Sequence, residues 1–275
     1  MGVPTHAMDI LAEQRARGMD RLGAVKLFYM AGAPIPPVTA QAFLDQGVTP
    51  QNIYGMTENS SHQYTHPDDD SETIVHTCGR GGPGYRVRIF EAENADVEVA
   101  PGEVGQIGGR GACLMLGYFG NQPATEGSFN RDGWFLSGDL GRLKEDGCLE
   151  FVGRLKDIVI RGGHNIHPKK IEDLAVKHDG IERAAAFAVP DERLGEKVCL
   201  AVIPAGGAKP EAGAILDYLH GAGLSKYDMP EYFLAMDEFP LTASGKILKR
   251  VLADWARDGK IAPDPARFEE PAKEA

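Results

Sequence analysis

Several short segments carry side chains whose types and spacing can do chemistry. Tyr54-Gly-Met-Thr-Glu58 sets a hydroxyl beside a carboxylate at a strand end. Such a pair can meet a phosphate oxygen and a Mg2+ ion, because Mg2+ is held by one or two carboxylates together with substrate phosphates. A capped turn uses the same residue types. Trp134-Phe-Leu-Ser-Gly-Asp139 puts an acid in a glycine turn after a strand. A fixed carboxylate there can accept both hydroxyls of a ribose, or simply brace the turn. Ser244-Gly-Lys246 ends a loop before a helix and can bring an ammonium to a developing anion; a solvated surface lysine has the same surroundings. Gly153 to Glu172 reads G-R-L-K-D-I-V-I-R-G-G-H-N-I-H-P-K-K-I-E, which joins a polar turn, a short apolar run, a Gly-Gly break and a helix start. As a lone pattern it is an ordinary strand-loop-helix connection.

These segments need elements to hold them. Residues 9–17 have helical character, and 22–30 read as a buried strand ending in Ala31-Gly-Ala-Pro34. Residues 38–44 predict a helix and 51–54 a short strand. Strand, helix, strand is a parallel α/β pattern, and ligands in such sheets lie beyond the carboxyl ends of the strands. If the two strands are adjacent, loops 31–36 and 54–59 face one crevice. From 85 to 152 the pattern changes to short strands with Gly-rich turns. Tyr85, Val87 and Ile89 alternate with Arg86 and Arg88, a period of two. Strands are expected at 103–107, 112–118, 134–136, 140–143 and 149–152, the last two joined by the hairpin turn Glu145-Asp-Gly147. A second mixed unit follows. Pro168 stands at a first helical position, where its missing N–H is harmless. Ile171, Leu174 and Ala175 give that helix an apolar face, with Glu172 and Asp173 near its positive end. Apolar runs at 184–189 and 198–203 flank a polar loop, 191–197. Ile215, Leu216 and Leu219 mark a helix and 232–236 a strand. A last amphipathic helix carries Ile247, Leu248, Val251, Leu252 and Trp255, and a mobile tail is expected from Lys260. The expected fold class is α/β plus β: a partial large domain, made of a truncated parallel α/β sheet and a β-barrel-like subdomain, then a small α+β domain.

Composition narrows the classes. The 275 residues are 43% hydrophobic and 25% charged, a globular profile. A net charge of −11 argues against non-specific nucleic-acid binding. No apolar run is long enough to span a bilayer. Cys78, Cys113, Cys148 and Cys199 are scattered without paired spacing, which fits a reducing cytoplasm better than a disulfide framework. No signal-peptide pattern follows Met1. The Gly-rich stretches 79–84 and 108–111 lack a Lys-Ser/Thr ending and read as turns. His164 and His167 stand three apart in a Gly-Gly loop, which does not set metal geometry. There is no G-x-S-x-G elbow, and Asp68-Asp-Asp70 reads as a solvated loop.

The order of the motifs is more specific than any one of them. Ala31-Gly-Ala-Pro34, Tyr54-Gly-Met-Thr-Glu58, Gly102-Glu-Val-Gly105 with Gly117-Tyr118, Ser137-Gly-Asp139, Gly153-Arg-Leu-Lys-Asp157, Gly162-Gly163 and Ser244-Gly-Lys246 succeed one another from about Gly23 to Arg250. In this order they resemble the adenylate-forming (AMP-binding) superfamily, specifically the C-terminal half of its acyl-CoA synthetases. The resemblance implies that Gly32, Ala33, Pro34 and Tyr54 sandwich an adenine, that Thr57 touches phosphate and that Glu58 holds Mg2+. It implies that Asp139 binds the ribose hydroxyls with help from Arg154. Lys156 would be a hinge, Gly163 would lie beside the pantetheine of CoA, and Lys246 would reach the acyl carboxylate and the α-phosphate. Asn59, Ser60 and Ser61 would line part of the acyl pocket. The implied domains are 1–154, divided into an α/β part at 1–84 and a β part at 85–154, then a mobile C-terminal domain at 155–258 and a tail at 259–275. The implied chemistry joins a carboxylic acid to CoA: the acid and ATP give acyl-AMP and pyrophosphate, the small domain rotates, and the CoA thiol attacks acyl-AMP.

One departure matters. The superfamily's Ser/Thr/Gly-rich phosphate loop with its Lys has no counterpart here, so this chain by itself is expected to adenylate poorly. An exposed edge of a truncated sheet also favours association of copies. The details of Thr77-Cys-Gly-Arg-Gly-Gly-Pro-Gly84 and Gly223-Leu-Ser-Lys-Tyr-Asp-Met-Pro230 resemble cyclohexanecarboxylate-CoA ligases, with a medium-chain fatty acid as the neighbouring choice. Other readings are an adenylation domain feeding a carrier protein and a non-catalytic AMP-binding fragment. The segment Pro240 to Lys246 also resembles one that lysine acetyltransferases modify in relatives, and acetylation would remove the Lys246 charge.

Overall fold

The computed structural model describes residues 1–207, 210–243 and 245–268. They divide into two compact units: Met1–Lys156 with Gly245 and Lys246, and Asp157–Ala243 with the chain from Ile247 on.

In the first unit, helix α1, Pro4–Ala16, opens on a proline in its first turn. Strand β1, Leu27–Ala31, helix α2, Pro37–Leu44, and strand β2, Thr49–Met56, make a βαβ crossover. The two strands are neighbours and parallel, with Leu27 opposite Thr49 and Ala31 opposite Ile53. The segments that follow them therefore leave the same end of the sheet. Strand β3, Ser60–Tyr64, returns antiparallel to β2, with a register shift at Tyr54/Gly55. Ala7 and Leu11 of α1, Met30 of β1, and Ala40 and Phe43 of α2 form one core cluster. Helix α3, Ser71–His76, is capped by Asp70, whose carboxylate accepts from the Thr73 N–H at 2.7 Å. One member of the acidic run thus has a structural task.

Strands β4, Tyr85–Phe90, β5, Gly105–Gly111, β6, Phe135–Leu143, and β7, Leu149–Arg154, form an antiparallel sheet in chain order. The four-stranded sheet is open and does not close into a barrel. The short helix α4, Gln122–Glu126, lies in the connection between β5 and β6. Two local expectations are corrected here. Gly108–Gly111 is strand, not turn. A Cβ on Gly108 would stand 2.4 Å from the Phe90 ring, and one on Gly109 2.1 Å from the Tyr85 hydroxyl. The glycines make room for aromatic side chains of the neighbouring strand, as glycine inside a strand often does. Residues 112–118 are not a strand. Their polar groups turn back to an earlier loop: the Met115 N–H donates to the Glu58 carbonyl at 2.7 Å and the Cys113 thiol to the Asn59 carbonyl at 3.0 Å.

In the second unit, β8, Val159–Arg161, and β9, His164–Ile166, pair across Gly162 and Gly163. Helix α5, Pro168–Ala175, begins at the expected proline. Strands β10, Ile181–Asp191, and β11, Gly195–Pro204, make a long hairpin. The polar loop expected at 191–197 is a tight turn. The Asp191 carboxylate accepts from the N–H groups of Arg193 and Leu194 and pairs with Lys197 across the hairpin. Helix α6, Ala212–Gly221, precedes strand β12, Tyr232–Ala235, which joins β11 in parallel. Helix α7, Lys249–Arg257, follows. Strand β13, Asp264–Pro265, adds antiparallel to β12.

The expected mobile tail is therefore partly fixed. The Ala266 N–H donates to the Glu231 carbonyl and Phe268 stacks on His220; residues 269–275 lie outside the described residues. Alternate residues of the hairpin explain its near-continuous apolar sequence. Ala184, Ala186, Val198, Leu200 and Val202 pack with Ile171 of α5 and Leu216 and Leu219 of α6, whereas Ala185, Phe187, Cys199 and Ala201 pack with Leu252 of α7. Both faces are covered, so polar alternation is absent. Among the described residues no helix is long and apolar enough to cross a membrane.

Candidate functional site

The first unit gathers its polar residues around one buried carboxylate. Asp139 is 5% exposed and lies within β6, not in a turn after it. The register of β6 and β7 puts it opposite Arg154. The Arg154 Nε lies 3.3 Å from Asp139 Oδ1, and the Tyr54 hydroxyl donates to Oδ2 at 2.9 Å. Ser137 supports the arrangement: its hydroxyl donates to the Ile107 carbonyl at 2.8 Å and accepts the Asp139 N–H at 3.1 Å. Burial, and then the Asp139 charge, push the Tyr54 phenol well above its ordinary range, so it remains a donor at neutral pH. A guanidinium and a phenol thus orient both oxygens of one carboxylate.

Gly32, Ala33 and Pro34 follow β1, and Gly32 takes a left-handed backbone with φ of 88°. Lys246 belongs to the same unit. Its Cε lies 3.9 Å from where a Gly32 Cβ would stand. Burial, and then the Arg154 charge, lower the pKa of the Lys246 ammonium, while Asp139 raises it. Gly32, Tyr54, Asp139, Arg154 and Lys246 are therefore brought into one neighbourhood. Ser244, the first residue of that sequence motif, lies outside the described residues.

Thr57 and Glu58 occupy the turn between β2 and β3. Thr57 is exposed, and the Glu58 carboxylate accepts from the Tyr118 hydroxyl at 3.0 Å. Asn59 is buried, and its side-chain oxygen accepts the Met56 N–H at 3.0 Å, so its amide braces the turn. Ser60 is exposed with φ of 57°. Among the described residues no group of three or more His, Cys, Asp or Glu could hold a metal ion. The Glu58 carboxylate is a hard oxygen donor of the kind that suits a cation arriving with nucleotide phosphates, since Mg2+ keeps few protein ligands in such sites.

In the second unit, Gly162 and Gly163 both have left-handed φ values, 59° and 87°, at the tip of the β8–β9 hairpin. The Gly162 N–H donates to the Leu194 carbonyl at 2.8 Å, and a Cβ on Gly163 would meet nothing within 4 Å. Beside this tip, Asp228 takes His164 at 2.9 Å and Lys170 at 3.3 Å. Lys156 is exposed in the 3-10 turn Leu155–Asp157, where the two units meet in sequence.

Two side chains stand out that the sequence did not single out. Tyr118 was part of a Gly-Tyr motif without a role of its own. His62 is 4% exposed, stacks on Tyr85 at 4.1 Å and meets the edge of Tyr54 at 5.4 Å. Neither of its ring nitrogens has a hydrogen-bond partner among the described residues. Burial lowers its pKa to about 4 and pushes Tyr85 up to about 12.

Residues 1–119 match the AMP-binding enzyme family, and residues 170–246 match the AMP-binding enzyme C-terminal domain. The chain is 32% identical to a medium-chain fatty-acid–CoA ligase of Escherichia coli (strain K12), over 92% of this chain and 44% of that protein. It is 36% identical to a feruloyl-CoA synthase of an Amycolatopsis species, over 90% of this chain and 50% of that protein. Among solved structures it is similar to ATP-bound MatB from Rhodopseudomonas palustris, with a TM-score of 0.85 and 30% identity, over 95% of this chain and 51% of that one. The chain thus spans about half the length of the relatives it matches. With both family matches in sequence order and this fold around Asp139, the chain belongs to the AMP-binding, adenylate-forming enzyme superfamily.

Proposed function

We propose that this chain carries the AMP-binding side and the acid-activating lysine of an acid–CoA ligase. In that reaction a carboxylate oxygen attacks the α-phosphorus of ATP and pyrophosphate leaves. The CoA thiol then attacks the acyl carbon, and AMP leaves with the P–O bond intact. The observation that carries the reading is the convergence of Tyr54 and Arg154 on the buried Asp139. A carboxylate oriented in this way can accept the two vicinal hydroxyls of a ribose. Gly32 to Pro34 and Tyr54 would border the adenine, and Thr57 would contact phosphate. Mg2+, when bound, would neutralise phosphate charge, with Glu58 as its protein ligand. The Lys246 ammonium, already near Arg154 and Asp139, would stabilise charge building between the acid and the α-phosphate. Lys156 would serve as the pivot of the second unit, and the open Gly163 tip would face the pantetheine arm of CoA. Acetylation of Lys246 would then switch off the first step.

The names of the relatives support an acid with an apolar body. Their names specify a medium-chain fatty acid and ferulate, both carboxylates on an apolar body. An alicyclic acid such as cyclohexanecarboxylate belongs to that class.

Pyrophosphate exchange with ATP over a panel of such acids, run beside AMP calorimetry, tests the proposal. AMP binding with weak exchange is the expected result, because the 275 residues contain no Lys-bearing Ser/Thr/Gly-rich phosphate loop. Absence of AMP binding would refute the proposal. A second reading is a non-catalytic AMP-binding chain. ATP and AMP binding with equal affinity, and no exchange with any acid, would select it.

A further inference from the structure

We propose that Tyr118 is a positioning residue for Glu58: its hydroxyl fixes one carboxylate oxygen and so sets the orientation in which Glu58 meets the divalent cation of a bound nucleotide. This rests on the reading of Glu58 given above. Sixty residues separate the two side chains in sequence, yet the Tyr118 hydroxyl stands 3.0 Å from Glu58 Oε1. The contact is not an isolated surface pairing, because the segment that carries Tyr118 is tied down on both sides.

On one side the segment is fastened to the Glu58 turn. Met115 donates its N–H to the Glu58 carbonyl at 2.7 Å, and the Cys113 thiol donates to the Asn59 carbonyl at 3.0 Å. The backbone of Glu58 and the tip of its side chain are thus held by one stretch of chain. On the other side the segment is fastened to helix α4. The Tyr118 N–H donates to the Thr125 hydroxyl at 2.9 Å, and that hydroxyl donates to the Asn121 carbonyl at 3.0 Å. Gly117 is needed for this seat. Its φ is 153°, and a Cβ there would come within 2.9 Å of the Thr125 methyl. Asn121 caps α4 by accepting from the Ala124 N–H at 3.1 Å. Helix, glycine and tyrosine thus form one clamp that ends on a carboxylate oxygen.

The physical consequence is pre-organisation. A glutamate alone on a turn samples several rotamers, and ordering it on cation binding costs free energy. A hydroxyl donor to one oxygen removes much of that freedom beforehand. It also fixes which oxygen is engaged, Oε1. The Tyr118 hydroxyl bonds the Glu58 carboxylate itself, so its effect falls on cation binding.

The test uses the full chain and Mn2+ as a spectroscopic stand-in for Mg2+. Mn2+ is titrated into the chain with ATP and followed by water-proton relaxation, which is enhanced for protein-bound Mn2+–ATP over the free chelate; AMP affinity is measured separately without metal. Tyr118→Phe is expected to keep its melting temperature and its AMP affinity within twofold. It should weaken Mn2+ binding in the presence of ATP by about three- to tenfold, the size of one typical net hydrogen bond. Glu58→Gln should weaken Mn2+ binding more, and adding Tyr118→Phe to it should cause no further loss, because the two act through one contact. An unchanged Mn2+ half-saturation in Tyr118→Phe would overturn the proposal. So would equal losses of AMP and Mn2+ affinity, which would mark Tyr118 as merely structural, and so would additive losses in the double variant. Failure of the unmodified chain to bind AMP would instead overturn the nucleotide reading, and this proposal with it.

Discussion

Replacing His62 by Phe should remove an acid-sensitive component of stability from the first unit. His62 is buried between Tyr85 and Tyr54, and its ring nitrogens find no hydrogen-bond partner among the described residues. In the unfolded chain a histidine takes up a proton near its ordinary value of 6.5, whereas burial holds the folded group near about 4. Between those values the unfolded state binds more protons, so stability is fully present above about pH 6.5 and falls as the pH drops toward 4. At about 1.4 kcal/mol per pH unit, the loss across the window is about 3 kcal/mol, a large part of a domain's stability. Phe keeps an aromatic ring against Tyr85 and carries no titrating group. Any packing change it causes is independent of pH and leaves the slope comparison intact.

The chain has two units, so one global transition is not a safe readout. Trp134 lies in the first unit and Trp255 in the second, on α7. Urea unfolding followed by Trp134 fluorescence in a Trp255→Phe background isolates the first unit. Between pH 7 and pH 4, wild type should lose about 3 kcal/mol more than His62→Phe. Parallel stability curves for the two proteins, or a His62 ring proton that titrates near 6.5 in the folded state, would refute this reasoning.

Two further outcomes test the packing. Gly109→Ala places a Cβ where the Tyr85 hydroxyl now stands and should cost about 1–3 kcal/mol in the Trp134 transition, as overpacking does. Leu200→Ala removes a fully buried side chain from the β11 face covered by α5 and α6. It should cost about 2–5 kcal/mol in the Trp255 transition while leaving the Trp134 transition in place.

The sequence was informative where structure is local. The β1–α2–β2 crossover, the Pro168 helix start and the apolar hairpin strands rest on periodicity and on single strong residues, which read directly from the chain. It misled where a distant partner decides. Gly108-Gly-Arg-Gly111 has turn composition, but Phe90 and Tyr85 of the adjacent strand require the missing side chains. Residues 112–118 have strand-like composition, but Glu58 and Asn59 claim Met115 and Cys113. The candidate residues of the site were legible as motifs in order, and the resemblance implied their grouping around one nucleotide; the contacts among them were not legible. Asp139 and Tyr54 are 85 positions apart, and no local pattern reports their hydrogen bond. Tyr118 and His62 went unread for the same reason, since their meaning lies in Glu58 and in the Tyr85 stack.

Isothermal titration of AMP into the wild-type chain and into Asp139→Asn is the most direct test of the nucleotide site. Asn keeps the size of the side chain but removes the charge that Arg154 and Tyr54 orient. One-to-one binding by wild type, weakened about ten- to a hundredfold in Asp139→Asn, is the predicted result, as for loss of a hydrogen-bonded charged group. Equal affinity in the two proteins, or no binding by wild type, would contradict a nucleotide site built on Asp139.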